Sequence, residues 1–222
     1  PEEQLEKIQE KAHHLVGLQY STYNRSLLPS LKNAGWEMVT AHESLTEEQS
    51  AYVDRYFEEN VYPVLTPMAM DSYRPFPLIR NKTLNIGALI SKKGAKEKAE
   101  FATVQVPAVL PRVIELPGKE PGKRAGILLE EVIERNIEKL FLNYDVVSAH
   151  PYRIMRNADL TIDEDEASDL LKEIQKQLKK RQWGEVIRLE IEDKMDEKLL
   201  KILKKEFAVK SEEIYSINGP LD

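Results

Sequence analysis

Four of the chain's twelve prolines fall within residues 62–77, as Pro63, Pro67, Pro75 and Pro77. Each lacks a backbone N–H and has φ fixed at about −65°, so neither a continuous helix nor a central strand can pass through this block. The path must be a rigid, extended connector. Val64, Leu65, Met68, Met70 and Phe76 fill the gaps between the prolines. A solvated proline-rich linker would be polar, so this connector is expected to lie pressed against a core.

Before the block the sequence reads mostly as helix. Leu5, Ile8, Ala12, Leu15, Val16 and Gln19 recur at helical spacing over residues 2–23, with Glu and Lys on the other face. That apolar stripe needs a partner. A short helix over 27–34 should stop at Gly35, and 36–39 suits a short strand. Thr46 with Gln49 forms a capping-box pattern for a helix running to about Asn60.

After the block the period changes to that of strands. Residues 84–90 and 101–106 are predicted strands, joined by a Lys-rich 91–97 with Gly94 at the turn. Residues 109–116 are predicted as an edge strand because Pro111 lies inside them, and 117–126 as an exposed loop. A helix is predicted over 127–141, a strand over 146–155, a helix over 163–181, a strand over 185–191 and a helix over 196–207. The fold class is therefore α+β, an N-terminal helical segment followed by a mixed or antiparallel sheet packed with helices. Residues 1–60 are assigned to the end of a helical domain and 61–222 to the α+β domain.

A net charge of −6 works against binding of polyanions, so nucleic acid is not an expected partner. The Lys-rich stretches are interleaved with acids and carry no aromatics. The absence of cysteine excludes disulfides and thiolate chemistry. No apolar run has the length of a membrane span, and the expected location is cytoplasmic, with membrane association of a longer parent left open.

Candidate chemistry is sparse. The run Asp163-Glu164-Asp165-Glu166 lacks the glycine that a calcium loop requires and is read as a helix start, where carboxylates are favoured. Gly118 to Lys123 has the wrong spacing for a phosphate loop. His13, His14, His42 and His150 show no sequence neighbours that would make a catalytic or metal-binding set, and are assigned surface or interface roles. No catalytic residue, metal ligand or bound cofactor is expected. The phosphate-binding candidates are Arg74 and Arg80, which bracket Pro75-Phe76-Pro77 ahead of Asn81, and Arg153 and Arg156 beside Asn157. Arginines with neighbouring amides can grip phosphate bidentately, and the competing reading is turn hydrogen bonds and pairing with nearby carboxylates.

The block from Tyr62 to Asp71 with Pro75-Phe76-Pro77 resembles a segment of the long, ATP-dependent (type 1) polyphosphate kinases. Asn81 to Ile86, Val106 to Arg112, Arg156 to Ala167, Gly184 to Glu190 and Asn218 to Asp222 continue the resemblance in the same order. Met68 and Met70 depart from it, standing where the family usually has smaller aliphatics. The resemblance implies the middle, or head, domain with the end of the N-terminal helical domain. The phosphorylated histidine and phosphate-binding arginines of the family would then lie in C-terminal domains absent from this chain. It also implies that the parent transfers the terminal phosphate of ATP to polyphosphate with Mg2+, is a homo-oligomer, and uses this segment as scaffold, dimer contact and tunnel wall. A stand-alone interaction module and a phosphate sensor are the alternatives.

Overall fold

The chain begins with α1 (Glu2–Thr22), which passes through a π-helical turn at Tyr23–Leu27 into α2 (Leu28–Asn33). The structure, a computed structural model, describes residues 2–70, 75–94, 99–118, 122–157 and 184–222. Gly35, at φ +87°, ends the helical run as expected, because a left-handed residue there costs glycine nothing. β1 (Trp36–Val39) follows. The capping box forms as predicted: Thr46 Oγ1 accepts from the Gln49 N–H and Gln49 Oε1 accepts from the Thr46 N–H, both at 3.2 Å, opening α3 (Glu47–Tyr56). Gln49 is buried and donates to the Pro117 carbonyl at 3.0 Å.

The proline block is extended where it is described. β2 (Met68–Ala69) is an edge strand on β4 (Glu100–Gln105), and β4 pairs with β3 (Leu84–Lys92) in an antiparallel hairpin. Leu65 and Ala69 pack on one core while Met70 and Phe76 pack on another, so the connector is pressed inward as its composition requires.

Two sheets result. β1 pairs in parallel with β6 (Arg124–Leu128), which pairs antiparallel with β5 (Val113–Leu116), giving the order β1-β6-β5. The six-stranded sheet has the order β2-β4-β3-β7-β8-β9, with β7 (Tyr144–Arg156), β8 (Val186–Glu192) and β9 (Ile214–Ile217). Its neighbours are antiparallel except β8 and β9. One face, with Ile86, Ala88, Ile90 and Val104, meets Val53 and Phe57 of the α3 region and Val132 and Ile133 of α4 (Leu129–Arg135). The other, with Leu89, Phe101, Tyr152 and Leu189, is covered by Leu199, Leu203 and Phe207 of α5 (Glu197–Phe207). Side chains alternate across a strand, so these central strands are apolar on both faces.

Three boundaries differ from the sequence reading. The strand predicted over 109–116 begins only at Val113, although it does lie at an edge. Residues 124–128, divided in the prediction between a loop and a helix, form a central strand. Gly126 makes this possible: a Cβ there would stand 2.8 Å from Trp36 Cζ2, so β1 can pack only against a bare backbone. The helix predicted over 127–141 shrinks to α4, because the buried Asn136 side chain donates back to the Val132 carbonyl at 3.1 Å and ends the helix. β9 was not anticipated. The helix predicted over 163–181, with its acidic run, lies outside the described residues.

Of β7 only Tyr152–Arg156 pairs with β8, so among the described residues the first half of β7 has β3 as its sole sheet neighbour. Pro151, which has no N–H to give, stands where the second neighbour begins. α1 lies over β9, with Ala12, Val16 and Tyr20 against Tyr215 and Ile217. His13 stacks on Tyr215 at 4.0 Å.

Candidate functional site

Two groups of polar side chains stand out, and they sit at different places on the six-stranded sheet. The first contains the residues singled out from sequence. Lys82, at φ +60°, turns the chain into β3, and its carbonyl accepts from Arg153 Nε at 3.1 Å. Arg153 also lies 3.8 Å from the buried Glu190 carboxylate and 3.9 Å from Asp222. Asn81 Oδ1 accepts the Arg156 backbone N–H at 2.8 Å. The Arg156 guanidinium donates to the Ile79 carbonyl at 3.2 and 3.3 Å and to the Gly184 carbonyl at 2.8 Å. Burial holds its pKa below the ordinary arginine value, as expected for a cation closed in by backbone rather than by acids. The Asn157 N–H donates to the Glu185 carbonyl at 2.8 Å. Arg80 is exposed, and its side chain makes no hydrogen bond or ion pair among the described residues. Arg74 lies outside them.

The structure thus brings Arg80, Asn81, Arg153, Arg156 and Asn157 to one end of β3, β7 and β8. Most of their donors already face the protein's own carbonyls. An arginine that is to hold a phosphate must present free N–H groups to it.

The second group was not legible in the sequence. A pocket beside the one-sided half of β7 is lined by His42, Glu43, Glu131, Glu134, His150 and Glu192. His42 and Glu43 come from the turn after β1; Glu131 and Glu134 lie on α4; His150 and Glu192 face each other from β7 and β8. His150 Nδ1 lies 2.7 Å from Glu192 Oε2. The His42 backbone N–H donates to Glu131 Oε2 at 2.9 Å, and His42 Nδ1 stands 3.4 Å from Glu43 without a hydrogen bond. One ligand atom each from His42, Glu43 and Glu131 can be chosen so that all lie within 4.8 Å of one another.

The electrostatics of this pocket are unbalanced. Burial pushes the Glu131 carboxyl up to about 7, and the nearby Glu192, Glu43 and Glu130 carboxylates add to the effect. Glu134 is pushed well above the ordinary carboxylate range for the same reasons, burial first. Burial also lowers the pKa of the His42 imidazole. Of the nearby cations, Arg135 binds Asp54 through two bonds at 2.8 and 3.0 Å and Arg112 binds Glu130 at 2.7 Å, while Lys194, also in the pocket lining, is exposed. His42 and Glu131 are 89 residues apart in sequence, so only the His42-Glu43 adjacency could have hinted at this site.

Comparison with known proteins identifies the family. The sequence profile of the polyphosphate kinase middle domain matches residues 48–222. The chain is 46% identical over its full length to the polyphosphate kinase of Halalkalibacterium halodurans and 48% identical over 99% of its length to that of Lactiplantibacillus plantarum. It spans 31% and 30% of those two proteins. Its fold matches 30% of the crystal structure of polyphosphate kinase from Porphyromonas gingivalis, with a TM-score of 0.77 over 98% of this chain at 22% identity. The resemblance carried by the proline block therefore holds along the whole length, and the chain belongs to the polyphosphate kinase family and carries its middle domain.

Proposed function

We propose that this chain is the non-catalytic middle part of an ATP–polyphosphate phosphotransferase, where it serves as scaffold, oligomer contact and part of the wall around the reaction path. The observation that carries the reading is the unbroken match at under one third of the relatives' length. Phosphoryl transfer depends on positioned cations and a nucleophile, and the residues described here do not fit that task. Arg156 is committed to backbone carbonyls, and in the lining of the His42 pocket glutamates outnumber the cations Arg135 and Lys194, a poor setting for a triphosphate. ATP, Mg2+ and the phosphorylated histidine belong, on this reading, to the rest of the polypeptide. The division into a helical segment over 1–60 and a head domain over 61–222 belongs to the same proposal, although β1 and α3 pack into the main core from before that boundary.

Any contact with a phosphate chain at the β3–β7 end falls to Arg80, with Asn81, Arg153, Arg156 and Asn157 holding the backbone around it. The exposed Leu5, Ile8, Leu15 and Leu18 of α1 favour a docking role toward the missing domains or a second copy. No helix among the described residues is long and apolar enough to cross a membrane.

The test is an assay of the isolated chain with ATP, Mg2+ and polyphosphate, beside the full-length protein. Phosphate transfer is expected from the full-length protein alone. Turnover by the isolated chain that co-purifies with it would refute the scaffold reading. Calorimetry with long-chain polyphosphate at low salt separates the sensor alternative: no heat is expected, and saturable binding would favour the sensor.

A further inference from the structure

The His42 pocket differs from an ordinary acidic surface in one respect. Several of its polar atoms are buried and lack a hydrogen-bond partner. His42, Glu134 and Ser148 all line this pocket, and His42 Nδ1, Glu134 Oε1 and Ser148 Oγ are buried without a hydrogen-bond partner. Buried polar atoms are nearly always satisfied, so three unpartnered ones on residues of one pocket mark a place where water or an ion would be held. Among the described residues neither Glu43, Glu131 nor Glu134 has an ion pair with Lys or Arg. Acidic oxygens and an unpartnered imidazole nitrogen are donors that suit a cation.

We propose that His42, Glu43 and Glu131 bind one divalent transition-metal cation of the Zn2+ class, with Glu134 holding a water on the bound ion. Three observations define the site. The donor atoms lie within 4.8 Å of one another, close enough to share an ion after small side-chain rotations. Glu131 already gives one oxygen to the His42 N–H, which fixes the carboxyl and leaves its other oxygen for the metal. One imidazole with two carboxylates suits Zn2+, Co2+ or Mn2+, whereas Mg2+ and Ca2+ prefer oxygen alone.

Three protein ligands leave coordination positions for water, and Glu134 Oε1 is the unpartnered acceptor available to such a water. The ion would join the turn after β1 to α4. It would therefore bridge the three-stranded sheet and the helix that covers the six-stranded one. The inference does not rest on the phosphotransferase reading, because it concerns residues that reading leaves unused.

The experiment titrates the chelator-treated chain with Co2+, followed by its visible absorption and by calorimetry. One Co2+ per chain is expected, displaced by Zn2+, with a rise in thermal midpoint. Glu131→Gln keeps an oxygen acceptor for the His42 N–H but loses the anionic ligand, and His42→Ala removes the imidazole; each is expected to weaken Co2+ at least about tenfold. His14→Ala, on the exposed helix, is expected to bind as the native chain does. Circular dichroism without metal verifies that each variant is folded. The proposal fails if the native chain takes up no Co2+, if Glu131→Gln and His42→Ala bind it unchanged, or if Mg2+ or Ca2+ binds more tightly than Zn2+.

Discussion

The β3–β7 end and the His42 pocket are both polar, yet they are finished differently. At the first, Arg156 alone satisfies two carbonyls, and Asn81 and Arg153 secure the turn that leads into β3. At the second, among the described residues, three buried atoms have no hydrogen-bond partner and three carboxylates have no ion pair with Lys or Arg. A fully satisfied polar group resists change and has no bonding capacity to offer a ligand. An unsatisfied one costs stability and keeps that capacity. Charged residues near a strand end are therefore poor guides to function until their partners are counted.

The largest effect should come from turning a satisfied group into an unsatisfied one. Arg112 binds the nearly buried Glu130 and donates to the Leu221 carbonyl at 2.6 Å, so Arg112→Met strands a carboxylate beside the pocket. A loss of about 3 kcal/mol is expected in urea denaturation, reduced from the fully buried case because Arg112 is partly exposed. Arg156→Met frees the Ile79 and Gly184 carbonyls and should cost about 2 kcal/mol. If it costs nothing, the distinction between the two regions is lost.

The pocket should respond with the opposite sign. Glu134→Leu removes a carboxyl that burial disfavours when charged, and should raise stability by about 1 kcal/mol at pH 8 in chelator. The pH dependence follows from Glu131. Its folded pKa of about 7 lies above the unfolded value of 4.5, so within that window the folded chain holds more protons. Stability in chelator must therefore fall as pH rises from about 4.5 to about 7, and Glu131→Gln should flatten that slope. The smallest effect is expected at Arg80. Arg80→Ala should change stability by less than about 0.5 kcal/mol, and a larger loss would mean that this arginine is structural after all.

Much of the fold could be read locally, because its signals are local. The Gly35 stop, the Thr46–Gln49 box and the apolar runs of β3 and β4 each act within a few residues. The failures lie where distant contacts decide. Gly126 looked like a loop glycine until Trp36 was found against it, and Ile127 fitted a helical period until β1 and β5 claimed it for a strand. The arginine corner was visible as residue types but not as satisfied donors. The His42 pocket was invisible, since its members meet only when β1, α4, β7 and β8 are in place.

The seating of α1 has a mechanical consequence. Among the described residues its apolar contacts with the sheet start at Ala12, and the first two to three turns, bearing the exposed Leu5 and Ile8, extend beyond that point. With about 1.5 Å of rise per residue, Leu5 sits about 10 Å beyond that pivot, and a tilt of about 10° carries it through about 2 Å. α1 is thus a lever with its fulcrum at the edge of β9, able to turn a slight rocking of Tyr215 into a shift that anything gripping its free end would feel.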